Sequence, residues 1–150
     1  MPSQRSGGGF KRLRKALDDL SKLQAKTGWK DSAVYEDGTK VVDVAQYNEF
    51  GSKHTPPRPF VRVAVAESGQ KWSKSLVQGV KAVINGNADV RDVLGSTADL
   101  AAGDIAKAIE AVTAPPLKAS TIRKKKGRSK PLEDTNLMLQ SVTGIVEDAE

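Results

Sequence analysis

Cysteine is absent from this sequence, and histidine occurs once in 150 residues. Without cysteine the chain has no disulfide framework, no thiolate zinc site and no thiol nucleophile. Because His54 is the sole imidazole, a cysteine–histidine dyad and a histidine metal cluster are excluded as well. The glycine run at residues 7–9 follows no predicted strand and lacks the Lys-Ser/Thr pair of a phosphate-binding loop. We therefore predict no catalytic residue, no metal site and no cofactor, and we expect a protein that is not an enzyme.

Large apolar side chains are also scarce. Hydrophobic residues make up 38% of the chain and aromatic residues 5%, which predicts a modest core whose burial is completed in an oligomer. No apolar run approaches the ~20 residues that a membrane span needs, and the polar residues after Met1 do not resemble a secretory signal. We expect a soluble protein that is used without export and has no membrane partner. The seven aromatic residues are Phe10, Trp29, Tyr35, Tyr47, Phe50, Phe60 and Trp72.

Positive charge exceeds negative charge, and the formal net charge is +6. Residues 118–130 carry basic side chains and no acid, whereas residues 133–150 carry acids and no base. A basic excess favours polyanions or acidic protein surfaces, and opposite charges in neighbouring segments suit head-to-tail contacts between identical subunits. The basic residues at the centre of the first segment are Arg123, Lys124, Lys125, Lys126, Arg128 and Lys130.

The first third of the chain predicts an arm, a helix, a hairpin and a second helix. Residues 1–9 are polar and glycine-rich, which is typical of a disordered arm. Residues 10–26 repeat apolar side chains at steps of three and four, which predicts an amphipathic helix. Residues 29–44 contain two strand-like runs around Asp37-Gly38, a strong signal for a β-hairpin turn. Residues 44–50 then predict a short helix, with Tyr47 and Phe50 packed in the core.

A rigid proline turn, Pro56–Pro59, separates this part from the rest. Its three prolines fix φ and remove N–H donors, so the segment is neither helix interior nor central strand. Helical periodicity predicts long helices over residues 60–84 and about 89–112, the second broken near residues 95–97. The predicted fold is α+β. Its small antiparallel sheet is formed by the hairpin at about 29–44 and a C-terminal strand at about 142–147, flanked by an N-terminal helix and the long central helices. Residues 10–150 form one domain with a basic loop at 118–130.

Two stretches of the sequence carry a family resemblance. Tyr47–Gly51 reads Tyr-Asn-Glu-Phe-Gly and is followed by Arg-Pro-Phe at Arg58–Phe60 and by a predicted helix. This order resembles the tail-completion, tail-terminator and neck proteins of long-tailed bacteriophages. The second stretch opens with Leu117, Ser120, Thr121 and Arg123, which are similar to a Leu-x-x-Ser-Thr-x-x-Arg pattern of the same proteins except that Arg123 stands one place earlier. It closes at Lys130–Val142, which is similar to their Lys-Pro-Leu-x-Asp-Thr-Gly-x-Leu-x-x-Ser-Ile pattern. Asn136 stands where that pattern has glycine, and both residues tolerate left-handed backbone.

The resemblance implies a structural virion subunit that forms a ring at the head–tail junction or at the end of the tail tube. The implied partners are further copies of the chain, the tail tube protein, head–tail connector or adaptor proteins, and genomic DNA passing through the ring. The implied location is the neck or tail end of the virion, after assembly in the host cytoplasm. We predict Arg58, Phe60 and Arg62 as contacts to a subunit or partner, and the basic residues at 123–130 as a loop close to DNA or a partner.

A different class of function stays open on charge alone. The loop at 118–130 has the charge density of a protein that binds nucleic acid without sequence specificity, although it lacks aromatic residues for base stacking. It is otherwise a solvated loop or a subunit contact. The helix predicted at residues 10–26 similarly packs on the core or, as a basic amphipathic helix, binds a membrane or nucleic acid.

Overall fold

The computed structural model describes residues 6–112, 120, 123 and 136–150. These residues contain the helices α1 (Ser6–Lys22), α2 (Val41–Phe50), α3 (Val61–Ile84), α4 (Val90–Ala111) and α5 (Leu137–Ser141), and the strands β1 (Leu23–Gly28) and β2 (Thr143–Asp148). The two strands pair as an antiparallel sheet. The predicted α+β class is therefore confirmed, with its small sheet, N-terminal helix, long central helices and C-terminal strand.

The strand that pairs with β2 precedes the segment predicted as a hairpin, and this corrects the prediction for residues 29–44. That segment makes one isolated antiparallel bridge, between Val34 and Lys40. The turn between them is present, with Gly38 at a φ of 83°, but the valines expected to form the returning strand make the first turn of α2 instead. A hairpin with a single bridge has too few cross-strand pairs to be a sheet of its own.

Long-range contacts explain why the chain leaves α1 at Lys22 rather than near residue 26. Lys26 forms an ion pair with Glu147, and Gln24 Nε2 donates to Glu147 Oε1 at 3.0 Å. The backbone N–H of Ala149 donates to the carbonyl of Lys22 at 2.8 Å. Pairing with a distant strand thus overrides the local helical pattern. At its other end α1 begins at Ser6, so the glycines at 7–9, expected in a disordered arm, belong to its first turns.

The chain divides into two compact units, each built from separate segments. The first unit takes Met1–Thr27, Gly69–Ala101 and Gly144–Glu150, and the second takes Gly28–Ser68 and Ala102–Thr143. The boundaries fall within α3 and α4, which run without interruption. The predicted single domain over residues 10–150 stays a prediction.

The first unit buries small and aliphatic side chains of α1 and α4. Its buried apolar residues are Ala16, Val90, Leu94, Ala98 and Ala101. The break predicted near residues 95–97 is absent, because Ser96 and Thr97 donate their hydroxyls back to the carbonyls of Asp92 and Val93, at 2.8 and 2.9 Å. Such bonds let polar residues remain inside a helix.

The second unit contains the aromatic part of the core. Phe60 is fully buried and meets Trp29 edge to face, with ring centroids 5.8 Å apart. The indole N–H of Trp29 donates to the carbonyl of Met138 at 2.8 Å, which anchors α5. Helix α5 packs against α2 and is preceded by Asn136 at a φ of 55°. Asparagine tolerates this left-handed backbone, as glycine does.

Candidate interaction site

Helix α2 buries a carboxylate on its inner face. Val41, Ala45 and Glu49 lie four residues apart and are all buried, so Glu49 continues an apolar stripe into the protein. A buried charge is costly unless it is paired and hydrogen-bonded. The charge of Glu49 must therefore be balanced by hydrogen bonds and ion pairs at the C-terminal end of α2.

Glu49 caps the N-terminus of α3. Its Oε2 accepts the backbone N–H of Phe60 at 2.8 Å and of Val61 at 2.9 Å, and its Oε1 accepts the N–H of Arg62 at 3.1 Å. These are orphan donors that a helix start must satisfy, and the positive end of the helix dipole favours a carboxylate there. The first turn of α3 has no acidic residue of its own, so a residue of the preceding helix supplies the cap.

Arg62 contacts Glu49 from the solvent-exposed side. Its Nε donates to Glu49 Oε1 at 2.9 Å, and its Nη2 donates to the Glu49 carbonyl at 2.7 Å. The guanidinium carbon lies 5.3 Å from the ring centroid of Phe50, in cation–π range. One arginine thus ties the last turn of α2 to the first turn of α3 and holds the Phe50 ring in place.

The connection between α2 and α3 is a tight turn with little freedom. Gly51 has a φ of 78°, and a Cβ at this position would lie 2.9 Å from Pro57 N. The backbones of Ser52 and Thr55 bond each other in both directions. The N–H of Arg58 returns to the carbonyl of Asn48 at 2.6 Å. The prolines, the glycine and the Glu49 cap all act on the same turn, so α2 and α3 are held at a fixed angle.

The pKa of the Glu49 carboxyl lies below its ordinary value of 4.5. Burial by itself raises this pKa, but the N–H groups of Phe60 and Val61, with the side chain and N–H of Arg62, lower it further than burial raises it. The carboxylate is therefore charged at neutral pH.

This pKa predicts an acid-sensitive contribution to stability. A group whose pKa is lower in the folded state stabilises above its unfolded pKa, and this stabilisation is lost as the pH falls through the folded pKa. The free energy of unfolding should therefore fall more steeply below pH ~4.5 in the wild type than in Glu49→Gln, whose side chain does not titrate. Urea unfolding of both proteins between pH 7 and pH 3 measures the difference. Parallel declines would contradict the assignment.

The outer face of α2 presents two aromatic rings to solvent. Tyr47 is 59% exposed and Phe50 is 65% exposed, so the prediction that both pack in the core is wrong. Phe50 also lines an open cavity of about 470 Å³, whose other lining residues are 51–57 of the same turn. Large exposed aromatic side chains beside a concave surface are characteristic of protein interfaces.

The three predicted contact residues, Arg58, Phe60 and Arg62, lie in or directly after the turn between α2 and α3. Phe60 is fully buried and Arg58 is 6% exposed, so both lie in the interior of the second unit. The side chain of Arg62 is 59% exposed while it pairs with Glu49. A contact role for these residues stays a prediction, and substitution of Phe60 or Arg58 will test folding before it tests binding.

Among the predicted basic-loop residues, only Arg123 lies within the described part, and it is exposed. The others, Lys124, Lys125, Lys126, Arg128 and Lys130, lie outside the described residues. The role of this loop stays a prediction.

Glu49 is the residue that the sequence prediction missed. The sequence does indicate that α3 lacks a local N-cap. The residues before Val61 are prolines, arginine and phenylalanine, and none of these is a good N-cap. A long helix with no local cap and no acid in its first turn requires an acceptor from elsewhere. Glu49, within the preceding helix and before a rigid return, is placed to supply it.

Helix α1 carries a second exposed apolar pair. Phe10 is 67% exposed and Leu17 is 58% exposed, although Ala16 on the neighbouring face is buried. Lys11, Arg12 and Arg14 are exposed and have no ion pair within the described residues. Lys15 and Lys22, by contrast, pair with Asp19 and Asp18. The helix therefore buries Ala16, but two residues of the apolar stripe predicted to pack on the core, Phe10 and Leu17, are exposed.

No set of three or more His, Asp or Glu side chains in the described residues is arranged to hold a metal ion. Within the same residues, none of the helices combines the length and apolar character needed to cross a bilayer. Comparison with known proteins gave no match to a family model, to a curated protein or to a solved structure.

Proposed function

We propose that this protein is a structural subunit of a long-tailed bacteriophage virion that forms a ring at the head–tail junction or at the end of the tail tube. The proposal starts from the resemblance of Tyr47–Phe60 and Lys130–Val142 to tail-completion, tail-terminator and neck proteins. The observation that carries it is the exposure of Tyr47 and Phe50 within the first of these stretches.

The buried residues of that stretch stabilise the turn between the two helices, whereas its exposed residues are available to contact a partner. Glu49, Arg58 and Phe60 are buried and fix the turn between α2 and α3. Tyr47 and Phe50 are exposed on the opposite face of α2, whose connection to α3 is rigid. Aromatic side chains that are ordered before binding lose little entropy when a partner covers them, which is why they dominate binding energy at interfaces. The stretch therefore suits a subunit whose action is binding and geometry.

The scarcity of aromatic residues supports the same conclusion. An aromatic side chain covers about 150–250 Å², and burying apolar surface is worth about 25 cal/mol per Å². Three of the seven aromatic residues, Phe10, Tyr47 and Phe50, are more than half exposed. A neighbouring subunit or tail component would recover this burial. The partners we propose are further copies of the chain, the tail tube protein and connector or adaptor proteins, in the neck or tail end of the virion.

Electron microscopy of the purified protein, alone and mixed with tail tubes of its source, tests the proposal. We expect rings or density capping the tube ends with the wild type, and a loss of capping with Tyr47→Ser, because the α2 face is then weakened. Gln46→Ser is the matched control, since Gln46 is exposed on the same helix but carries no ring. Capping that is unchanged in Tyr47→Ser would remove the role of this face.

The second candidate function is sequence-independent binding of nucleic acid. The observation that favours it is the group of exposed cations at Lys11, Arg12 and Arg14 on α1. The same preparations distinguish the two functions. Protein that ignores tail tubes but binds DNA with a steep salt dependence, about one counterion released for each phosphate contacted, would favour the alternative.

A further inference from the structure

Charged residues lie at both ends of the aromatic face of α2. Asp43 is exposed in the first turn of the helix, one turn before Tyr47. Lys53 is exposed beyond the other end, where it lines the same open cavity as Phe50. Neither Asp43 nor Lys53 has an ion pair within the described residues. An acidic side chain therefore lies before the aromatic pair, and a basic side chain lies in the turn after it.

Such a face is complementary to itself when two copies meet antiparallel. Lys53 lies outside α2, in the turn that follows the C-terminal end of the helix at Gly51. An antiparallel contact between two α2 helices would set the Tyr47–Phe50 pair of one copy against the same pair of a second copy. It would also set Asp43 opposite Lys53 of that copy, and each pair would occur twice, as in any isologous contact. The antiparallel arrangement also opposes the two helix dipoles favourably.

We propose that, in the free protein, the α2 face is covered by the α2 face of a second copy in an antiparallel, twofold contact. This inference rests on the α2 face alone and does not depend on the ring. It gives the unassembled protein a way to cover its aromatic pair until another neighbour takes its place.

The size of the face predicts a reversible dimer. From an aromatic side chain of about 200 Å² and the exposed fractions of Tyr47 and Phe50, the four rings would together bury about 500 Å². This area lies below the ~1,200 Å² lower limit of standard interfaces. We therefore expect a weak dimer that dissociates on dilution.

Charge-swap variants followed by sedimentation equilibrium test the proposal. Asp43→Lys sets two lysines opposite each other across the twofold axis, and Lys53→Asp sets two aspartates opposite each other. Each variant alone should weaken self-association at least tenfold. An equimolar mixture of the two should form a heterodimer, because every opposed pair then carries opposite charges. The control is Lys74→Asp, an exposed change on α3 that should leave the dimer unaltered.

Every outcome bears on the contact. A heterodimer in the mixture, with weak association of each variant alone, supports it. A wild type that is monomeric up to ~1 mM, single variants that associate normally, or a mixture that stays monomeric would overturn it. Circular dichroism verifies that both variants are folded, and Lys53→Asp, which lies in an exposed turn, changes no helical residue. Capping of tail tubes by a protein that does not dimerise would refute this contact and leave the ring proposal standing.

Discussion

Replacing Glu49 with alanine should lower the free energy of unfolding by about 2–4 kcal/mol. The loss of a helix cap costs about 0.5–2 kcal/mol, buried N–H groups left without an acceptor cost about 1–3 kcal/mol, and the helix that is uncapped here has 24 residues. The backbone N–H groups of Phe60, Val61 and Arg62 would lose their acceptor together. Urea unfolding monitored by circular dichroism measures the change.

Three further variants separate the contributions to this loss. Glu49→Gln keeps the size of the side chain and one acceptor oxygen, so it should cost less than alanine. Arg62→Gln removes a half-exposed cation but leaves the carboxylate on the three N–H groups, so it should cost about 1 kcal/mol. Glu67→Gln, an exposed change on the same helix, should stay within about 0.5 kcal/mol of the wild type. If Arg62→Gln proved as costly as Glu49→Ala, the ion pair and not the cap would hold the turn.

Sequence periodicity located α2 but assigned its faces wrongly. Val44, Tyr47 and Phe50 follow a helical spacing, as do Val41, Ala45 and Glu49. Hydrophobicity favours the first set for the core, because it contains the larger side chains. The structure buries the second set, because the bonds from Glu49 to the start of α3 fix the rotation of α2 about its axis. A polar contact between two elements decides this, and the pattern of one element does not contain it.

Elements specified by local chemistry were predictable, and those specified by distant partners were not. Helix α3 was expected at residues 60–84 and runs from Val61 to Ile84, because prolines set its start and apolar residues recur at helical spacing. Strand β1 was expected to be helix, since Leu23 continues the stripe of α1. Its pairing with β2, more than a hundred residues later, draws it out of that helix.

The candidate site likewise has a part that local sequence specifies and a part that depends on contacts between elements. The rigid proline turn between α2 and α3 could be predicted from the sequence. The exposure of its aromatic residues and the central place of Glu49 required the fold. A motif whose polar residue is buried and whose rings are exposed inverts the usual pattern, and departures of this kind are expected at functional or strained sites.

Replacing Gly144 with alanine should destabilise the protein by about 3 kcal/mol. A Cβ at this position would lie 2.6 Å from the carbonyl carbon of Ala98 and 2.8 Å from the backbone nitrogen of Asp99. Both atoms belong to the backbone of α4, which cannot give way as a flexible side chain can. Overpacking of this kind costs about 1–3 kcal/mol, or more where the backbone must shift. At about 2–4 °C for each kcal/mol, the melting temperature should fall by roughly 6–12 °C.

Gly103→Ala provides the matched control for Gly144→Ala, because it makes the same chemical change where space is free. Gly103 lies inside α4, and a Cβ there would meet no atom within 4 Å. Alanine in a helix interior is favoured over glycine by about 0.5–1 kcal/mol, so this variant should melt a few degrees above the wild type. The two alanine variants should therefore move the melting temperature in opposite directions. If both raised it, β2 would not lie against the backbone of α4, and the close approach at Gly144 that brings the C-terminal strand into the first unit would be wrong.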